Sequence, residues 1–334
     1  DYFDVKTWSG NSSTQSIPLE FAPGLIWNKS RSAASGHSWW DVLRGTGAQI
    51  SCNQTDAETT GYNAITSFSN NAINLGADNT GSFNGRTNET GRTYVGWVWN
   101  AGGSTVTNTS GSISSQVRAN TTAGFSIVTY TGNGTAGATI GHGLGAVPTF
   151  IIVKNRSSSQ NWLIYSSVYG ANMYGYLNLQ NGWATDTTGF NNVTPTSTVF
   201  TVGTALETNG STNNLVAYCF TPIAGYSAFG SYTGNGSTDG PFIFTGFRPR
   251  FIILKRSNTG GDAWIMMDTS TQTYNVVGNF LQPSQADAEL TTPICDFLSN
   301  GFKLRETYTA INSSGSTYIY MAFAENPFKY ANAR

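Results

Sequence analysis

Charge is scarce in this chain. Asp, Glu, Lys and Arg make up 10% of its 334 residues, and the formal net charge is −1. Binding a polyanion needs clustered Lys and Arg to displace counterions from phosphate, so this composition speaks against nucleic acid as a partner. Long apolar runs are missing as well: no stretch approaches the roughly 20 residues a membrane-spanning helix needs. Helical periodicity is absent, since no window of suitable length places apolar residues at i, i+3, i+4 and i+7 between proper caps. Cysteine is limited to Cys52, Cys219 and Cys295. These form no local, even framework and read as buried thiols rather than disulfides.

The chemistry of an enzyme is thin too. The only histidines are His37 and His142, and neither has further ligands at metal-binding spacing, so no metal is expected. His142 lies in Gly141-His142-Gly143 and reads as an exposed turn residue. No serine sits in a Gly-x-Ser-x-Gly elbow. Turns such as Gly132-Asn133-Gly134 precede neither a helix nor a Lys-Ser pair, so they are hairpin turns in which Asn-Gly supplies positive φ, not phosphate cradles. Asp41 and Asp268 recur at matching repeat positions, which favours a role in the fold over a glycosidase carboxylate pair. No catalytic residue and no cofactor are assigned.

What the chain has instead is repetition. Tyr130-Thr131-Gly132-Asn133-Gly134 is matched by Trp8-Ser9-Gly10-Asn11-Ser12 and by Tyr232-Thr233-Gly234-Asn235-Gly236. Downstream, Pro23, Pro148 and Pro249 each precede an apolar strand and are followed six residues later by Lys29, Lys154 and Lys255. Proline fixes φ and donates nothing to a ladder, so it suits a strand's first position. Aromatic strands follow at Trp39-Trp40, Trp162 to Tyr165 and Trp264 to Met267, with His37 at the place of Trp162 and Trp264. Val95, Trp97 and Trp99 alternate in the manner of a strand packed on a core. Near Tyr176 the strand is placed over Tyr176 to Leu179, with both leucines inward.

Short strands with Gly, Ser, Thr and Asn-rich turns predict an all-β chain of three tandem, related β-sandwich-like domains. The expected units are residues 1–100, a Gly/Ser/Thr-rich linker over 101–124, a second repeat over 125–224, and a third over 225–334 ending in a short polar tail. Each repeat is long enough to bury a core of its own. The start at Asp1, without methionine or a signal-peptide pattern, leaves room for a preceding segment.

Aromatic residues are the one ligand signal. Trp183, Tyr174, Trp39 and Trp40 are candidate contacts for a glycan or receptor, because aromatic faces stack on sugar CH groups. Trp183 is the foremost, standing in the polar run Gln180-Asn181-Gly182. Asn-x-Ser/Thr sequons are numerous, among them Asn28, Asn88, Asn155, Asn209 and Asn312. They bear on glycosylation only in a secretory setting.

The segment from Ser115 to Val128, continuing into YTGNGTAGATIGHGLGAVPTFIIVKNRSSSQNW, resembles segments of tail-fibre-like structural proteins of tailed bacteriophages, marine ones especially. Phe247-Arg248-Pro249 and Tyr318 to Ala322 share the likeness, which is looser in the first repeat. The resemblance implies an extracellular virion protein, a fibre or appendage component acting in host attachment. It also implies a homo-oligomer, a trimer or filament, meeting other virion proteins and host-surface glycans. The alternatives are a filament or capsid-decoration subunit without receptor role and, remotely, a polysaccharide-degrading enzyme.

Overall fold

The computed structural model describes residues 2–77 and 85–327. The last seven residues of the expected polar tail lie outside that range. Antiparallel strands dominate, and the described helices are two single turns, Leu206–Asn209 and Thr309–Asn312. The all-β expectation holds.

Each repeat is a module of two sheets. The inner sheet of the first runs in the order Phe3–Ser9, Thr93–Trp99, Leu25–Ser30, Ser38–Asp41, Ile50–Ser51. In the second the same order is Phe125–Thr131, Asn214–Phe220, Phe150–Asn155, Trp162–Ser166, Met173–Tyr176. In the third it is Ser227–Thr233, Thr317–Ala324, Pro249–Arg256, Ile265–Asp268. An outer sheet belongs to each, smaller than the inner one in the first two modules and of equal strand number in the third, with Gln15–Pro18, Ala138–Gly141 and Phe242–Phe244 as the respective first strands.

The central inner strands, Thr93–Trp99, Asn214–Phe220, Phe150–Asn155 and Pro249–Arg256 among them, are buried on both faces. In Thr93–Trp99, Tyr94 and Val98 face a core private to the first module, together with Trp8, Ile26, Trp40 and Ile73. Val95, Trp97 and Trp99 face the other way, into a core common to all three modules. That shared core also takes Trp27 and Trp39 from the first module, and Phe125, Phe150, Trp162 and Tyr218 from the second. From the third come Phe251, Trp264, Met321 and Phe323. The private cores of the second and third modules lie between their own sheets. The modules are thus not three separately cored domains on a string. Their inner sheets turn one face towards one another, and the largest side chains meet there.

The expected linker over 101–124 is structured. Thr105–Asn108 and Ser115–Asn120 form a hairpin that extends the second module's inner sheet, with Val117 opposite Val128. Val117 and Ile113 are buried in that module's core, the Ser115 hydroxyl donates inward to Gly141 O at 2.9 Å, and Ser114 and Gln116 face outward, so the sparse apolar residues suffice to seat the hairpin. The strand near Tyr176 also moves: it runs from Met173 to Tyr176. It stops there because the Asn178 carboxamide accepts the Trp162 backbone N–H and replaces the ladder.

Candidate functional site

The recurring polar residues converge on the seams between modules. Lys154 Nζ donates to the Thr55 carbonyl of the first module at 2.7 Å and to Gln160 in its own turn at 2.6 Å. Lys255 Nζ repeats this against the second module, donating to Gln180 O at 3.1 Å and Asp262 O at 2.8 Å. Lys29 Nζ bonds Ser30 O and Ala33 O in its own turn, with Asp287 of the third module favouring its charge. All three are fully buried. Desolvation disfavours the ammonium, so each pKa falls to about 8.

Backbone bonds repeat with the same spacing. Two residues beyond each lysine, a carbonyl accepts an N–H from the neighbour: Glu58 to Arg156 at 2.9 Å, Trp183 to Ser257 at 2.7 Å, Glu289 to Arg31 at 2.8 Å. Nearby, Gln160, Gly261 and Ser35 donate to Thr55, Gln180 and Ala286. The second module therefore leans on the first, the third on the second, and the first on the third. The seams close a ring with pseudo-threefold symmetry.

Side chains decorate this frame differently at each seam. Glu58 grips Arg156 through both carboxylate oxygens, and Glu289 grips Arg31 the same way. At the equivalent place in the remaining seam stand Trp183 and Ser257. The Trp183 ring stacks on Tyr169 and meets Trp264 edge-on. The Trp162 indole donates to Ser51 O and the Trp264 indole to Tyr176 O, each in the preceding module. His37 lies one residue beyond the Asn28–Ser38 pair, the place that Trp162 holds opposite Lys154, and its Nδ1 accepts the Trp27 indole N–H at 2.9 Å. Its burial, with Lys29 close by, pushes its pKa well below the usual histidine value.

The two repeated carboxylates are seam residues as well. Asp41 accepts the Tyr218 hydroxyl of the second module at 2.7 Å and pairs with the buried Arg44, which also reaches Glu58 at 3.1 Å. Asp268 accepts the Trp97 indole N–H of the first module at 3.1 Å. Trp97, Tyr218 and Met321 hold matching ladder positions opposite Trp27, Ile152 and Ile253. Where the third ring position carries apolar Met321, the carboxylate's place is taken by Ser166, opposite Phe150. Acid and donor are gained or lost together.

A residue type unremarked in the sequence pattern organises the opening turns. Asn88, Asn209 and Asn312 are buried, and their carboxamide oxygens accept the backbone N–H of Asn11, Asn133 and Asn235. Their amide groups donate to Ser13 and Gly76, to Thr135 and Gly203, and to Ser237 and Glu306. The clue was present: each stands in a sequon 76 or 77 residues beyond the asparagine of a Gly-Asn turn. Burial removes these three, and Asn28 and Asn155, from glycosylation.

The aromatic ligand candidates mostly dissolve. Trp39 and Trp40 are adjacent in one strand and so point to opposite faces; Trp39 enters the shared core and Trp40 the private one. Trp183 is 9% exposed, with one ring face stacked on Tyr169 and Trp264 set edge-on beside it, so only a small part of the indole reaches the surface. Tyr174 remains half-buried at the surface, its hydroxyl donating to Asp186 at 3.1 Å. His142 is buried rather than exposed: Nδ1 accepts the Leu144 N–H, and Nε2 contacts Thr196 O, which closes its turn inward. The three thiols are buried and free, as expected. Among the described residues no group of three or more His, Cys, Asp or Glu is placed to hold a metal ion.

One open cleft lies at the Trp183 seam. The run Gln180 to Trp183 and the run Asn258 to Gly261 face each other across about 350 Å³, lined by neutral amides, a threonine, glycines and part of Trp183. Its walls are fixed by the Lys255, Trp183 and Gly261 bonds already described.

Ring closure, shared core and seam bonds together define a single-chain, three-module all-β assembly. The chain belongs to the family described as "Domain of unknown function (DUF7483)", whose model matches residues 1–327. No curated protein and no solved structure matches it.

Proposed function

We propose that the protein is a virion structural component, a tail-fibre or appendage module acting at the host surface. The observation that carries this reading is that the recurring buried lysines, carboxylates and asparagines hold modules and turns together. What is left to the exterior is a weakly charged surface of Gly, Ser, Thr and Asn loops. The likeness of the second repeat to tail-fibre-like proteins points the same way. Host contact then falls to the surface loops, with Tyr174 and the neutral amides of the Gln180–Gly261 cleft as the places to meet hydroxyl-rich glycans. Labelling purified virions with antibody to this chain, viewed by electron microscopy, tests the proposal. Label on a projecting appendage is expected; virions free of the chain would refute it.

A further inference from the structure

The outer sheets of the three modules treat their first strand differently. Ladder positions match across modules: Ser16, Thr139 and Phe242 are equivalent, as are Ile17, Ile140 and Ile243, and then Pro18, Gly141 and Phe244. In each case the isoleucine points inward.

Free strand edges invite pairing with another chain, and proteins block them with proline, charge or a covering segment. The first module places Pro18 on its edge. The second covers its edge with its own chain: Ile113 forms a parallel bridge with Ile140, its N–H bonded to Thr139 O at 3.0 Å. Among the described residues the third has no covering segment, and its proline, Pro241, stands just ahead of the strand with its carbonyl turned into the sheet, accepting the Leu304 N–H at 3.2 Å, so the Phe242–Phe244 edge stays open. Its edge strand Phe242–Phe244 carries no charge and puts phenylalanine at both outward positions, 44% and 66% exposed.

We propose that this strand is a self-association edge, pairing antiparallel with the same strand of a second copy. Antiparallel pairing centred on Ile243 sets Phe242 of each copy opposite Phe244 of the other. Four rings then gather on one face, and the inward isoleucines continue the sandwich core. Nothing repels, because the stretch from Gly240 to Gly246 is uncharged. The second module shows that this edge geometry accepts an extended segment bringing an apolar side chain. An interface built on one short strand falls well below the roughly 1,200 Å² of tight complexes, so the pairing is weak and concentration-dependent, and closes as a twofold dimer. The inference stands whether or not the protein is part of a virion.

Sedimentation equilibrium from about 1 to 200 µM tests it, on the wild type, on Phe244→Lys and on Val106→Lys, an exposed strand residue of another module. Expected is reversible dimerisation of the wild type and of Val106→Lys, weakened at least tenfold by Phe244→Lys while its thermal midpoint stays unchanged. A wild type monomeric throughout overturns the proposal, and so does a dimer that Phe244→Lys leaves intact.

Discussion

Lys154 offers a direct test of how the seams are made. The ammonium is fully buried, and its pKa falls from 10.5 to about 8 through desolvation, against the opposing fields of Asp56 and Glu207. A folded-state pKa below the unfolded one means the unfolded chain holds the extra proton between pH 8 and about 10.5. Stability contributed by this group therefore rises with pH across that window, by about 1.4 kcal/mol per unit. Below pH 8 the buried charge costs up to about 3 kcal/mol, partly offset by its bonds to Thr55 O and Gln160 O, each worth roughly 1.5 to 3 kcal/mol. Lys154→Met removes both effects. Thr55 O keeps the Gln160 N–H, so chiefly Gln160 O loses a donor. The two proteins should then be within about 2 kcal/mol of each other at pH 7.5. The wild type should gain on the variant by roughly 2 kcal/mol between pH 8 and 9.5. Ionising thiols and tyrosines affect both proteins alike and cancel in the difference. Urea unfolding at pH 7.5, 8.5 and 9.5 reads this directly. Parallel stability curves, with a constant difference, would refute the desolvated-lysine account.

Two further outcomes follow from the architecture. A shared core makes the modules interdependent: the full chain should unfold in urea as one transition, and residues 101–224, the second module with its hairpin, should show no cooperative transition when expressed alone, since Phe125, Phe150, Trp162 and Tyr218 lose their covering neighbours. A stable, cooperatively folding fragment would overturn that view. Asn209→Ala deletes the acceptor of the Asn133 N–H and the donors to Thr135 O and Gly203 O, so a loss of about 3 kcal/mol is expected in urea midpoint analysis. An unchanged midpoint would mean the opening turn is held by its backbone bonds alone.

Much of this was legible in the chain. Repeated turn, proline, apolar strand and lysine give the module count and the core strands, because φ restriction and period-two burial act locally. The matched places of His37, Trp162 and Trp264 also follow from the repeat alignment. The ring was not legible. A strand such as Thr93–Trp99 reads the same whether its second face meets its own module or a neighbour. The hint lay in adjacency: Trp39-Trp40 puts a large aromatic on each face of one strand, which a sheet with one wet face does not tolerate. Trp183 misled for the opposite reason. Its polar neighbours are a loop, but the loop is pressed into a seam, where backbone bonds satisfy the chain and leave the indole inside.

The seams also explain how a chain of three similar modules finds one arrangement. The backbone bonds are common to all three junctions and cannot sort them. Side chains can. Glu58 and Glu289 each need an arginine two residues beyond a lysine, and Arg156 and Arg31 supply it; the third module offers Ser257 there instead. In the reversed order Glu58 would dock against Ser257, burying a carboxylate without its bidentate partner, which costs several kcal/mol. Trp183 would then meet Arg31 and strand its guanidinium in the same way. In a ring of three every pair of modules is adjacent, so what these side chains fix is the cyclic order, with the second module's Trp183 on the third and the ion-paired faces on either side of the first. Tyr218 with Asp41, and Trp97 with Asp268, enforce the same order from inside the core, because exchanging them would set an acid against Met321.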